Sequence, residues 1–126
     1  MKSFICAIVI FISIFIGSGY YTHLLSAEVQ DMQNYLSDVV SCLQEDDWEN
    51  CNKKTEIMMQ EWGKTQKWLK AIVNHNEIDL ILQTISEMKG FIDVKNKNDA
   101  LAKAEVLTVL LNHIPENEAL TVMNIL

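Results

Sequence analysis

Three side chains that could do chemistry lie close together in the stretch KWLKAIVNHNEIDLI, residues 67–81. His75, Glu77 and Asp79 fall within five positions of one another. Histidine titrates near neutral pH, and with carboxylates it binds divalent metals. The stretch therefore raises two hypotheses, a metal- or proton-binding site and a corner between two helices.

The spacing of these residues fits a helix corner better than a metal motif. HEXXH places two histidines on one helix face, whereas HNEID supplies one histidine followed by carboxylates. Asn76 is a residue type that caps helices, and Glu77 and Asp79 favour the positive end of a helix dipole. We therefore predict a helix cap at Asn76. In the alternative, His75 and His113 form a metal- or pH-responsive centre.

Other catalytic constellations are absent from the sequence. It contains no glycine-rich phosphate loop, no GxSxG and no CxxC. The acidic run QEDDWEN lacks the alternating oxygen ligands and central glycine of a calcium-binding EF-hand. We therefore predict a non-enzymatic protein with no catalytic residue, no cofactor and no metal.

Composition and charge narrow the class of partner. The 126 residues carry a net charge of −7, and their ten basic residues are all lysines. Without arginine there is no bidentate contact to phosphate, and an acidic chain is repelled by nucleic acid. We expect no nucleic-acid partner.

The N-terminal segment is long and apolar enough to cross a membrane. No charged residue lies between Lys2 and Glu28, and a spanning helix needs about 20 residues. We predict a transmembrane signal-anchor at residues 1–25, with residues 3–25 contacting lipid. Because positive charge precedes the segment and negative charge follows it, the N-terminus should be cytoplasmic and residues 26–126 extracytoplasmic.

A cleaved signal peptide is the alternative for the same segment. The run Gly17-Ser18-Gly19 offers small residues at a spacing that a signal peptidase accepts. Either hypothesis exports the rest of the chain.

Two cysteines flank the acidic run, Cys42 before it and Cys51 after it. If the run is a turn between antiparallel helices, a disulfide between them is geometrically possible. We favour free thiols over a bridge, because free cysteine is often a small core residue.

Capping signals divide the chain into helices. Asp46 with Glu49 resembles a capping box and predicts a cap at Asp46, and Asn76 repeats the device. Asn98 supplies a third start, and Pro115 is expected to end the last helix. The predicted spans are roughly 20–44, 47–74, 77–93 and 99–114.

Apolar residues recur at helical spacing within these spans. The clearest stripe repeats every seven residues, at Trp48, Thr55, Trp62 and Leu69. Short connections make neighbouring helices antiparallel. We therefore predict an all-α fold, an N-terminal transmembrane helix followed by a small antiparallel helical bundle.

The alternating direction of the helices brings certain residues back towards the membrane. If the first span rises from the bilayer, the second returns over a similar length. His23, His75 and His113 should then lie at the membrane-proximal end. We predict membrane or partner contact there by Trp68, Leu69 and Ile72.

The order of several short motifs resembles a known family. DW at 47–48, KWL at 67–69, HNEID at 75–79, HIPENEAL at 113–120 and the final NIL occur in this order. The chain is identified as a member of the domain of unknown function 4363 family, small single-pass proteins of clostridial and bacillar bacteria. The resemblance implies a membrane-anchored helical domain, often encoded beside a YetF-like membrane protein, with no established activity.

Two functions fit these predictions. The first is a membrane-anchored accessory or interaction protein whose exported bundle contacts a membrane-protein partner. The second is a metal- or pH-responsive sensor that uses the membrane-proximal histidines.

Overall fold

The fold is entirely helical in the residues that the structure describes. The computed structural model describes the backbone of residues 1–71 and 75–125, and their side chains except those of 21–22 and 115–125. The predicted all-α class is confirmed. The four helices are α1 (Lys2–Gln44), α2 (Trp48–Leu69), α3 (His75–Asp93) and α4 (Lys97–Ile125).

The helices form a closed ring of four. Helix α1 packs against α2 and α4, and α3 packs against the same two helices. Connections of a few residues force consecutive helices to run antiparallel. The result is a four-helix bundle, in which the C-terminal part of α1 is one of the four helices.

The core is built from the stripes that the sequence predicted. In α2 the buried side chains include Thr55, Trp62 and Leu69 from the seven-residue stripe, whereas Trp48 is half-buried at its end. Helix α3 buries one face in the same way. Its buried apolar residues are Ile78, Ile81, Ile85, Met88 and Ile92.

Helix α1 is one uninterrupted helix of 43 residues. Leu25 is its first buried residue among the side chains described, and Val29, Met32 and Leu36 follow at helical spacing on the same face. The helix thus enters the bundle near Leu25 without a connecting loop. We call the end of the bundle where α1 enters the proximal end, and the opposite end the distal end.

The first distal turn ends α1 with a Schellman motif. Asp46 adopts a left-handed backbone with φ 57°. Its N–H donates to the Leu43 carbonyl at 3.2 Å, and the Asp47 N–H donates to the Cys42 carbonyl at 3.0 Å. These two bonds satisfy carbonyls that the helix end would otherwise leave unpaired. Helix α2 then starts after only three connecting residues.

The second distal turn ends α3 in the same way. Lys95 has φ 58°, its N–H donates to Ile92 at 3.0 Å, and the Asn96 N–H donates to Phe91 at 2.8 Å. The Lys97 ammonium lies 3.3 Å from the Asp46 carboxylate of the first turn. The two turns therefore lie side by side at the distal end.

The predicted caps need correction. The N-cap of α2 is Asp47, whose carboxylate accepts from the Asn50 N–H at 3.4 Å. Asp46 is not the cap, because it is the left-handed residue of the Schellman motif. Asn96 has the matching role before α4, accepting from the Asp99 N–H at 3.2 Å. Asn76 is not a flanking residue either, since α3 begins at His75 and Asn76 is its second residue.

Pro115 does not end the last helix. Helix α4 continues from Lys97 to Ile125, so the prediction that it stops at Pro115 is wrong. A proline inside a helix removes one backbone hydrogen bond at a cost of about 3 kcal/mol, but it does not forbid the helix on both sides.

Trp62→Ala tests the core. The indole is fully buried, and its N–H donates to the Ile78 carbonyl of α3 at 3.4 Å. Its removal should lower the free energy of unfolding by about 3 to 5 kcal/mol through lost burial and the resulting cavity. Chemical denaturation followed by circular dichroism measures the loss.

Ile57→Ala is the matched control on the same helix, because Ile57 is 45% exposed. Its cost should be well below that of Trp62→Ala. Similar losses for the two variants would contradict the assignment of Trp62 to the core.

Candidate functional site

The HNEID stretch forms a helix corner at the proximal end. His75 begins α3, Glu77 lies in its first turn, and Ile78 is fully buried. The Lys70 ammonium at the end of α2 lies 3.4 Å from the Asp79 carboxylate. Both side chains of this pair are largely solvated, so the pair orients the corner and contributes little stability. The arrangement matches the structural hypothesis for this stretch.

The three histidines all have exposed side chains, at His23, His75 and His113. In the part of the chain that the structure describes, no three or more His, Cys, Asp or Glu side chains are grouped so that they could hold a metal ion. The alternative in which His75 and His113 share a metal centre therefore gains no support from the geometry.

The predicted contact residues at the end of α2 have different environments. Leu69 is fully buried, so the prediction that it contacts a membrane or partner is wrong. Because Leu69 belongs to the seven-residue stripe, its side chain faces the core. Trp68 is half-buried and packs against the edge of the core. Ile72 lies outside the described residues.

Polar contacts fasten two helices to α1 close to its entry into the bundle. The Thr65 hydroxyl of α2 donates to the Glu28 carboxylate at 2.9 Å. One turn further along α1, the Gln33 amide donates to the Asn112 side chain of α4. Thr65 is buried, so this contact is better shielded from water than a surface pair. The proximal end of the bundle is thus held to the helix that carries the apolar segment.

A shallow groove of about 410 Å³ runs between α1 and α4. Its lining side chains are amides, hydroxyls and aliphatic groups, none of which exchanges a proton near neutral pH. The groove therefore offers contact surface without acid–base chemistry. Its lining residues are Gln33, Leu36, Ser37, Val40, Thr108 and Asn112.

The carboxylate of Glu87 has a lowered pKa. Hydrogen bonds from the Lys103 ammonium and then from the Gln83 amide lower the pKa of Glu87 below its ordinary value. Lys103 belongs to α4, so the ion pair joins α3 to α4 across the surface. A general acid near neutral pH needs a raised carboxyl pKa, and the shift here has the opposite direction.

The apolar extension of α1, residues 4–20, is the most unusual surface of the molecule. Its helix contains an 18-residue segment that has a mean hydropathy of 2.2 and no buried residue. Phe4, Phe11, Phe15 and Ile16 are each at least 62% exposed. From Phe4 to His23 the helix rises about 29 Å, close to the roughly 30 Å thickness of a bilayer core. The helix is long and apolar enough to cross a membrane.

The fold and this surface define an all-α protein with a four-helix bundle. One helix of the bundle extends beyond it and is long and apolar enough to span a membrane. The chain belongs to the family described as a domain of unknown function (DUF4363), which matches residues 20–125. The predicted family is thereby confirmed. No curated protein and no solved structure matches the chain. The family match covers the bundle and begins where the apolar extension ends.

Sequence reasoning missed the distal turns as a structural unit. Their signal was present, because Asp47 precedes Asn50 by three residues and Asn96 precedes Asp99 by the same spacing. In both turns the first side chain accepts from the backbone N–H of the second. Each pair also forms a hydrogen bond between its side chains. The Asp47 carboxylate accepts from the Asn50 amide at 2.6 Å, and the Asn96 amide donates to the Asp99 carboxylate at 2.7 Å.

Two substitutions distinguish a helix corner from a metal-binding site at His75. His75→Gln should change the free energy of unfolding by less than about 0.5 kcal/mol, because the side chain is exposed. Ile78→Ala, three residues further on, should cost about 2 to 5 kcal/mol because Ile78 is buried. Denaturation curves and the metal content of the purified protein are the measurements. A stoichiometric metal that is lost on His75→Gln would contradict the corner.

Proposed function

We propose that this chain is a membrane-anchored, non-enzymatic accessory protein. Residues 3–25 hold it in the bilayer, and an exported helical bundle contacts a membrane-protein partner. The observation that carries the proposal is the apolar extension, which is continuous with a bundle helix and exposes its large apolar side chains.

The energetics of the apolar extension support the anchor. Burying a single Ile or Phe side chain away from water is worth about 1.5 to 3 kcal/mol, and the extension presents many of them. An exposed apolar surface of this size is typical of a membrane or protein interaction site. A lipid environment accepts it because every backbone polar group within a continuous helix is already paired.

The charge distribution supports the export of the bundle. Lys2 and the α-amino group precede the apolar extension, and Glu28 and Asp31 follow it. Positive charge is retained on the cytoplasmic side of a membrane helix, so the bundle lies on the other side. The next lysine after Lys2 is Lys53, far along α2 from the proximal end.

The attachment of the bundle to its anchor supports a role in contact rather than catalysis. Because α1 has no loop at Leu25, and because Thr65 and Gln33 link its neighbours to it, the proximal end is held near the membrane surface. A membrane protein beside it, such as the YetF-like protein that the family resemblance implies, is the partner we favour. Half-buried Trp68 at this end supplies an aromatic contact.

Membrane fractionation tests the anchor. The full chain should stay in the membrane pellet after an alkaline wash. Ile8→Asp with Ile12→Asp should move it to the soluble fraction, because each charge near the middle of a span costs about 2.5 to 3.5 kcal/mol. Ile57→Asp, on the exposed surface of α2, is the control and should leave the protein in the pellet.

The mature N-terminus, read by mass spectrometry, completes that experiment. Retention of residues 1–25 is the expected result. A soluble protein beginning near Tyr20 would contradict the anchor and support a cleaved signal peptide.

Cysteine labelling tests the orientation. In a chain whose own cysteines are replaced by alanine, Val94→Cys should react with a membrane-impermeant maleimide on intact cells, because Val94 is 72% exposed at the distal end. Ser3→Cys, on the other side of the apolar extension, should react only after permeabilisation. The reverse pattern would place the bundle in the cytoplasm.

A further inference from the structure

Two buried cysteines lie at the distal end of the bundle, one on each side of the first distal turn. Cys42 lies on the last turns of α1 and is 6% exposed, and Cys51 lies on the first turn of α2 and is fully buried. Both are free thiols. The third cysteine, Cys6, is exposed in the apolar extension, far from this pair along α1.

The backbone of the first distal turn holds both cysteines next to Asp47. The Asp47 N–H donates to the Cys42 carbonyl at 3.0 Å, and the Cys51 N–H donates to the Asp47 carbonyl at 2.9 Å. Each cysteine is therefore one hydrogen bond away from the same residue. Cys42 is also among the groups that raise the pKa of the Cys51 thiol, so the two side chains are neighbours. Neighbouring thiols on adjacent antiparallel helices are the arrangement from which an inter-helix disulfide forms.

We propose that Cys42 and Cys51 are an intramolecular disulfide site that locks the end of the anchor helix α1 to α2. The bond crosses between two helices, so it constrains their packing, which a bond within one helix would not do. It closes a short loop around the distal turn.

The oxidant is an exogenous disulfide, either of a thiol oxidoreductase or of a small molecule. The Cys42 sulfur, the more accessible of the two, loses its proton and attacks one sulfur of that disulfide. The exogenous S–S bond breaks, and one thiol leaves with a proton. The Cys51 sulfur, after losing its proton, then attacks the Cys42 sulfur, and the second exogenous thiol leaves. Two cysteine thiols are oxidised, and one disulfide is reduced to two thiols.

The environment of Cys51 disfavours its thiolate form and so slows the exchange. Burial, followed by the neighbouring Cys42, Asp47 and Asp46, raises the pKa of Cys51 to about 11. The thiol is therefore protonated at neutral pH, and a protonated thiol is a poor nucleophile. Once formed, the bond is shielded from external reductants by the same burial.

In cells, oxidation of the pair rests on the proposed export, because disulfides persist outside the cytoplasm and are reduced within it. The geometry of the pair does not depend on that orientation. A test on purified protein and a test in cells therefore answer separate questions.

The first test uses the purified full chain in detergent with Cys6→Ala, so that two thiols remain. After equilibration with an excess of oxidised over reduced glutathione, the protein should lose the mass of two hydrogen atoms. After unfolding, no thiol should react with N-ethylmaleimide, whereas two should react after reduction. Free thiols, or stable glutathione adducts as the end product, would overturn the proposal.

Cys42→Ala in the same background is the matched control. Cys51 then has no partner, so the loss of two hydrogen atoms should disappear. If that mass change persisted, the assignment of the bond to this pair would be wrong.

The second measurement is the thermal midpoint of the oxidised and reduced forms. A cross-link over so short a loop should raise the midpoint by on the order of 10 °C, because it restricts the unfolded chain. An equal or lower midpoint in the oxidised form would contradict a lock between α1 and α2.

The test in cells uses acid-quenched cultures of the Cys6→Ala strain and maleimide counting. No reactive thiol before reduction, and two after it, is the expected result. If the purified protein oxidises but both thiols are free in cells, the exported orientation is contradicted and the disulfide site is retained.

Discussion

The continuity of α1 is the constraint on which the other features depend. One helix has to satisfy two surroundings, since residues 4–20 expose apolar side chains all round whereas the part from Leu25 onwards buries a single face. The second part supplies a wall of the bundle, so α2 and α4 are built against the same rod that carries the apolar extension. The contacts of Thr65 and Gln33 with α1 close this arrangement at its proximal end. Loss of the helix near Leu25 would separate the extension from the bundle.

The helical stripes and the fold class could be predicted because helix geometry converts spacing directly into burial. Thr55, Trp62 and Leu69 recur every seven residues, and a period close to that of the helix leaves such a stripe only one direction to face. The short apolar spacings of α3, from Ile78 to Ile92, gave its core face for the same reason. These inferences needed no knowledge of which helices are neighbours.

Helix ends and the candidate site could not be predicted to the residue, because both depend on contacts outside the local pattern. Asp46 and Asp47 are equally good caps by type, and the Schellman turn of α1 decides between them. Leu69 could be recognised as a core residue by its spacing, yet its place near the helix end also indicated an outer contact. For His75 and His113, the order of the helices predicts a shared end of the bundle, but binding one ion also requires facing side chains, which spacing along the chain does not determine. Only tertiary geometry supplies that information.

The two distal turns also bear on how the chain acquires its structure. Each joins its helices through only three residues and repeats the same pattern of left-handed residue and side-chain cap. Closing so short a loop costs little chain entropy, and contacts between sequence neighbours form early. The bundle is thus two helical hairpins, and the first leaves the ribosome before the second. The Lys97–Asp46 pair, which spans both turns, then aligns the later hairpin on the earlier one.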